Sequence, residues 1–235
     1  MQLTIAELTD RFPDFRVAAV VADGLVINTD RSGALDERIR TAEEACRARH
    51  AGMDLSAIPG IAAWRSAYKG FGIKKTSYRS SVERLIKRVL AGERLPAINP
   101  FVDAYNAVSL THGFCVGADD LDRIAPPLAF RFSHPGDSFL DMAAAPGEDP
   151  DDPPKEGEVV LADSRHVLCR RWNWRQDMRS AISTETKSAL VTIQANGWGD
   201  LEPAVADLVG LVEAHCGGTA ATGYAHAGEP TLTLD

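Results

Sequence analysis

Apolar residues crowd the stretch from Phe15 to Ile27, rich in valine and alanine, which predicts a buried strand with a turn near Asp23-Gly24. From about Leu35 to Arg49 apolar positions instead recur at helical spacing among polar ones, the pattern of an amphipathic helix covering a sheet face. After Pro59-Gly60 a short helix is predicted from Ile61 to Tyr68, stopped by Gly70-Phe71-Gly72. Ser80 with Glu83 three places on has the form of a capping box, and Val82, Leu85, Ile86, Val89 and Leu90 continue it at helical spacing. Asn99 before Pro100 opens another helix that reaches His112, with Asp103, Asn106 and Ser109 on one flank.

Shorter apolar runs at Leu128 to Phe132, Glu158 to Ala162, Val167 to Arg171 and Ala189 to Gln194 predict strands, with Asp163-Ser164-Arg165 as a hairpin connection. Pro146 to Pro154 is expected as a mobile surface loop. Asp200 caps a final helix through about Ala214, and the Gly/Ala/Thr-rich tail 217–235 is expected to be loosely ordered. Strands and helices intersperse, so the expected fold is α+β, with a mixed, largely antiparallel sheet and packed helices. The chain of 235 residues is long enough for one core, expected over 1–216.

Arg170-Arg171-Trp172-Asn173-Trp174-Arg175-Gln176 does not fit this plain pattern. Read as a strand, it sends Arg171, Asn173 and Arg175 to one face and Arg170, Trp172, Trp174 and Gln176 to the other. Guanidinium forks suit carboxylate and phosphate, and indole faces suit rings and cations. The alternative is an ordinary strand with its tryptophans in the core and its arginines paired with acids.

Net charge is −8, yet Trp64 to Arg94 carries +7 and Glu148 to Glu158 carries −5. An acidic chain can therefore still present a basic face to a polyanion. Cys46, Cys115, Cys169 and Cys216 lie far apart and the six histidines are scattered, which argues against a zinc site or a disulfide framework. Asp119, Asp120 and Asp122 lack the glycine turn and terminal glutamate of a calcium loop. Phosphate loops, dinucleotide fingerprints and hydrolase elbows are absent. With no basic-apolar leader and no apolar run of membrane length, the expected location is the cytoplasm. What remains is amide- and arginine-rich: Asn106, Asn173, Gln176, the Arg171/Arg175 pair, and Tyr78-Arg79 at the entry to the basic helix. Such groups orient a polar ligand and stabilise developing negative charge, leaving water to attack.

Val102-Asp103-Ala104-Tyr105-Asn106-Ala107-Val108-Ser109-Leu110-Thr111-His112-Gly113, continuing to Asp120-Leu121-Asp122, resembles the signature of the editing domain in the beta subunit of bacterial phenylalanyl-tRNA synthetase, its third and fourth B-type modules. Arg84 to Arg88 followed by Leu95 to Asn99, and Thr184 to Leu190 with Glu185, fit the same order, so the likeness runs from about Trp64 to Gln194. It implies a free-standing relative of that domain, one that hydrolyses the ester of wrongly charged tRNA. Position by position, Asn106 matches the motif's site asparagine, Tyr105 replaces its threonine, Gly117 stands at its site histidine, and Thr192 falls near its pocket glutamate.

The expectation is thus an aminoacyl-tRNA deacylase in which Asn106, Asn173 and Arg171 orient ester and water. Tyr105, Asp103, Tyr78, Arg79, Trp172, Trp174, Arg175, Gln176, Glu185 and Gly117 would line its pocket, and Lys74, Lys75, Lys87 and Arg88 would grip phosphate. The partner is a tRNA acceptor end carrying an amino acid. No cofactor, metal or membrane is expected, and a monomer is compatible with this reading. A non-catalytic module for aminoacyl-tRNA or an amino-acid derivative, or an aminoacyl transferase, are the alternatives.

Overall fold

The computed structural model describes residues 1–74 and 78–234. Among the described residues, five α-helices and ten strands follow in the order β1 Gln2–Thr4, β2 Phe15–Asp23, α1 Gly33–Arg49, α2 Pro59–Gly70, α3 Ser81–Leu90, α4 Pro100–His112, β3 Cys115–Asp120, β4 Leu128–Phe132, β5 Val159–Ala162, β6 Val167–Arg170, β7 Arg175–Gln176, β8 Ser188–Asn196, α5 Glu202–Cys216, β9 Thr219–Ala225 and β10 Thr231–Thr233. The fold is α+β, as its pattern predicts.

Two sheets carry the architecture. One is four-stranded and antiparallel, in the order β3-β8-β2-β9, and the other six-stranded, in the order β10-β1-β4-β5-β6-β7, with β1 and β4 its parallel pair. The valine- and alanine-rich β2 is central in the first sheet, Phe15 lying opposite Asn196 and Val17 between Gln194 and Ala225. Strands buried on both faces read as continuous apolar runs, which is why no alternation shows there. Among the helices, α4 packs against α1, α5 and β3, while α5 packs on β2 and β9.

The aromatic centre of the core is Trp172, wholly buried, its ring 4.8 Å from those of Phe12 and Phe15 and 5.3 Å from that of Trp64. Edge-on packing of this kind adds about 0.5–1.5 kcal/mol per pair beyond simple burial.

Three expectations are corrected. The C-terminal residues are not loose: β9 pairs with β2 along its whole length, and β10 pairs with β1, because Thr- and Ala-rich segments suffice for strands that complete an existing ladder. At the start of α3, the Ser80 hydroxyl makes no capping bond, and Glu83 turns to Arg65 (2.7 Å) and Arg79 (3.2 Å) instead, an ion pair outcompeting the reciprocal cap. The block from Arg170 to Gln176 is not one strand. It is a tight hairpin, with Arg171 and Trp172 at φ of 45° and 68°. Left-handed backbone at two successive non-glycine residues ends the period-two alternation.

Candidate functional site

A cavity of about 340 Å³ opens where the β3 edge of the four-stranded sheet meets α3, the start of α4 and the β6–β7 hairpin. That volume suits a small ligand or the end of a larger one. Pleating puts Gly117 and Asp119 on one face of β3, and the register sets Thr192 directly opposite Gly117. A Cβ at Gly117 would meet no atom within 4 Å, so this bare position leaves the cavity open beside the sheet.

The wall is organised by two hydrogen-bonded chains. In the first, Tyr68 Oη donates to Asn173 Oδ1 (2.9 Å), Asn173 Nδ2 donates to Gln194 Oε1 (3.2 Å), and Gln194 Nε2 donates to Thr192 Oγ1 (3.1 Å). In the second, Gln176 Nε2 and Ser180 Oγ donate to Asp119 Oδ1 at 2.9 and 2.6 Å, and Gln176 also reaches the Ala118 carbonyl on the edge of β3. Burial pushes the Asp119 carboxyl up to about 7 against those two donors, which favour its charged form. Asn106, on α4, lines the same wall without a side-chain hydrogen bond to any described residue.

Three guanidiniums reach the wall. Arg84 Nη1 donates to the Trp174 carbonyl (2.9 Å), Arg88 Nε to the Arg94 carbonyl (2.6 Å), and Arg175 lies 4.8 Å over the Trp174 ring with Asp141 at 3.6 Å. Burial raises the Cys169 thiol and the Tyr105 hydroxyl far above their ordinary range.

Of the expected site residues, Asn106, Tyr105, Gly117, Asn173, Trp174, Arg175, Gln176 and Arg88 share this cavity. The remainder do not. Arg171 is buried outside it, its guanidinium 3.0 Å from Glu158 and clasped by the rings of Tyr78 (4.0 Å) and Trp174 (4.4 Å), because the left-handed turn swings it away from Asn173. Trp172 is core. Asp103 is taken up by the Ile98 amide (2.9 Å) and Arg31 (3.5 Å) and does not line the cavity. Glu185 is exposed in a turn, and its neighbour Thr186 is the buried member of that segment, donating to Asp120 (2.6 Å).

Tyr78, Arg79 and Lys74 line a second cavity of about 140 Å³ between α2 and the start of α3. Lys87 is exposed on α3. Lys75 lies outside the described residues. No described helix is long and apolar enough to cross a membrane, and no group of three metal-ligating side chains occurs among the described residues.

Sequence reasoning missed Asp119, Ser180, Tyr68 and Gln194. A signal existed only for the first, at period-two spacing from Gly117, and recognising it requires reading Cys115 to Asp120 as a strand.

A family model described as the B3/4 domain matches residues 63–197, and every residue of the larger cavity's wall falls inside that segment. No curated protein matches the chain. Among solved structures, an N-terminal fragment of the phenylalanyl-tRNA synthetase beta-subunit from Pyrococcus horikoshii is similar over 93% of this chain and 50% of its own, with 15% identity and a TM-score of 0.45. This chain spans about half the length of that fragment.

Proposed function

The chain belongs to the B3/4 domain family, and on that premise we propose that it hydrolyses the ester bond of mischarged or non-standard aminoacyl-tRNA. The observation that carries the reading is the chemistry of the cavity wall: amide donors and guanidiniums beside an open glycine, with no competent nucleophile among them. The Cys169 thiol is held protonated by burial, as is the Tyr105 hydroxyl, and the two hydroxyls of the wall have no base to activate them, since Ser81 Oγ meets no hydrogen-bond partner among the described residues and Thr192 Oγ1 accepts from Gln194 Nε2. Water is the attacking group. The Asn106 amide, together with the second N–H of Asn173, is available to a developing oxyanion, and such a donor is worth roughly 10²- to 10³-fold in rate.

The acceptor strand brings phosphates, for which exposed Lys74, at the smaller cavity, and exposed Lys87 on α3 provide charge, while Arg88 shares its charge with Glu93 (3.0 Å). The editing-like unit includes β9 and β10, since both sheets are completed by them. Selective ester hydrolysis serves accuracy because a synthetase pocket separates near-isosteric side chains by only about 10- to 200-fold.

Single-turnover decay of a tRNA charged in turn with each standard amino acid tests the proposal. Accelerated decay of a subset is expected. A second reading, a non-catalytic binding module, draws on Gly117, which offers no side chain to chemistry; protection of the ester, with tight binding, would select it.

A further inference from the structure

Among the described residues, Asp119 is the one carboxylate of the cavity wall that is almost wholly buried, at 4% exposure, and it is not neutralised by a cation. Buried carboxylates elsewhere in the fold are either paired or saturated: Glu83 meets Arg65 and Arg79, Glu158 meets Arg170 and Arg171, Asp177 meets Arg179, and Asp163, without a cation, takes backbone amides on both oxygens, from Ala125 on Oδ2 and from Arg165 and His166 on Oδ1. Asp119 has only neutral donors, both on Oδ1, and Oδ2 takes no hydrogen bond from the described residues. A fold that needed this carboxylate only for support would satisfy both oxygens. Two residues along the same strand face, roughly 7 Å away at the rise of a β-strand, stands the open position of Gly117.

Resting on the hydrolase reading above, we infer that Asp119 is the proton-transfer group of the cavity, with the space beside Gly117 admitting the reacting ester carbonyl. The carboxylate takes a proton from water as the water oxygen bonds to the carbonyl carbon, giving a tetrahedral oxyanion. When that intermediate collapses, the bond to the ribose oxygen breaks and the Asp119 carboxylic acid returns the proton to the departing hydroxyl. The products are a free amino acid and an uncharged tRNA end, and the carboxylate is regenerated.

The surroundings keep this group poised. Asp177, beyond β7, and Asp163, in the β5–β6 turn, add negative charge that reinforces burial, while Ser180 and Gln176 oppose it. Tyr105 of α4 and Cys169 of β6 face it as uncharged acids. Arg84 of α3, Arg175 of β7 and Asp141 share the cavity wall. The resulting value of about 7 is that of a general base operating near neutrality.

Asp119→Asn keeps the shape and can still accept from Ser180 and Gln176. On aminoacyl-tRNA that the parent deacylates, the parent rate should rise with pH and level off above about 7, and the variant should be slower by about 10²- to 10⁴-fold with no inflection. Affinity for tRNA should not change. Ser180→Ala, which removes a donor favouring the charged form, should move the parent inflection to higher pH, and answers the question should Asp119→Asn fold poorly.

Stability gives a readout without substrate. A folded-state value raised above the ordinary 3.8 means the fold holds an extra proton between about 4 and 7, so stability falls as pH rises through that window. Asp119→Asn should lose that fall. An active parent whose Asp119→Asn variant keeps both rate and inflection overturns the inference and leaves the hydrolase reading intact. A parent that deacylates nothing overturns the hydrolase reading, and the proton-transfer role with it, even where the stability slope behaves as expected.

Discussion

Replacing Asn106 by Ala removes an amide that serves no other described part of the fold, so ester hydrolysis should fall by roughly 10²- to 10³-fold with little change in tRNA affinity or folding stability. Asn173→Ala is different. It strips the partner from the buried Tyr68 hydroxyl and from Gln194, and should cost about 1–3 kcal/mol in urea denaturation besides slowing the reaction. Equal stability of the two variants would show that the Tyr68–Asn173–Gln194–Thr192 chain carries no folding energy. The sequence alone brings Asn106, Tyr105 and Gly117 forward through a local motif, and these do meet in one cavity. It conceals Asp119, because two adjacent aspartates in Cys-Val-Gly-Ala-Asp-Asp contradict strand propensity. In the fold β8 pairs with one edge of that strand, and Gln176 and the Ser180 carbonyl hydrogen-bond to the other.

Among the elements, the β6–β7 hairpin is where pattern and structure part most clearly. Period-two spacing sends alternate residues of an extended chain to opposite faces, but two left-handed residues at its tip redirect Arg171 to Glu158 and Trp172 into the core. Such backbone is disfavoured by roughly 1–2 kcal/mol per residue, and the burial of Trp172 and the double claim on Glu158 offset it. Arg170 donates to Glu158 through Nε (3.0 Å) and Nη2 (2.9 Å), and Arg171 reaches the same carboxylate. Glu158→Gln leaves two buried guanidiniums short of one negative charge, and should destabilise by about 3–5 kcal/mol, read as a lowered urea midpoint at unchanged slope. The sequence holds both charges but not their pairing, since twelve residues and two strands separate them. By contrast, the amphipathic helices and the apolar run of β2 are local in origin, and their bounds agree with the pattern to within a turn or so of chain.

For the whole molecule, the basic segment from Trp64 to Arg94 is less basic in space than in sequence. Arg65 and Arg79 are taken by Glu83, Arg88 by Glu93, and Arg94 by Asp36 and Glu43 of α1. Lys69, Lys74 and Lys87 remain exposed. Neutralising these three should weaken tRNA binding and reduce the log–log salt slope by about 0.7 to 0.9 for each phosphate that a lysine no longer holds; an unchanged slope would leave them as a solvated surface. The central place of β2 has a further consequence. Residues 63–197, which match the family, contain β8 but neither β2 beside it nor β9 beyond. Cut out alone, that segment would keep β3 on one side of β8 but bare the other edge of this nine-residue apolar strand, Ser188–Asn196, to the next copy of itself. Long uncovered edges of this kind template intermolecular pairing, so the excised segment should accumulate as β-rich aggregates in light scattering and infrared spectra, whereas the chain with its first and last strands restored should stay dispersed.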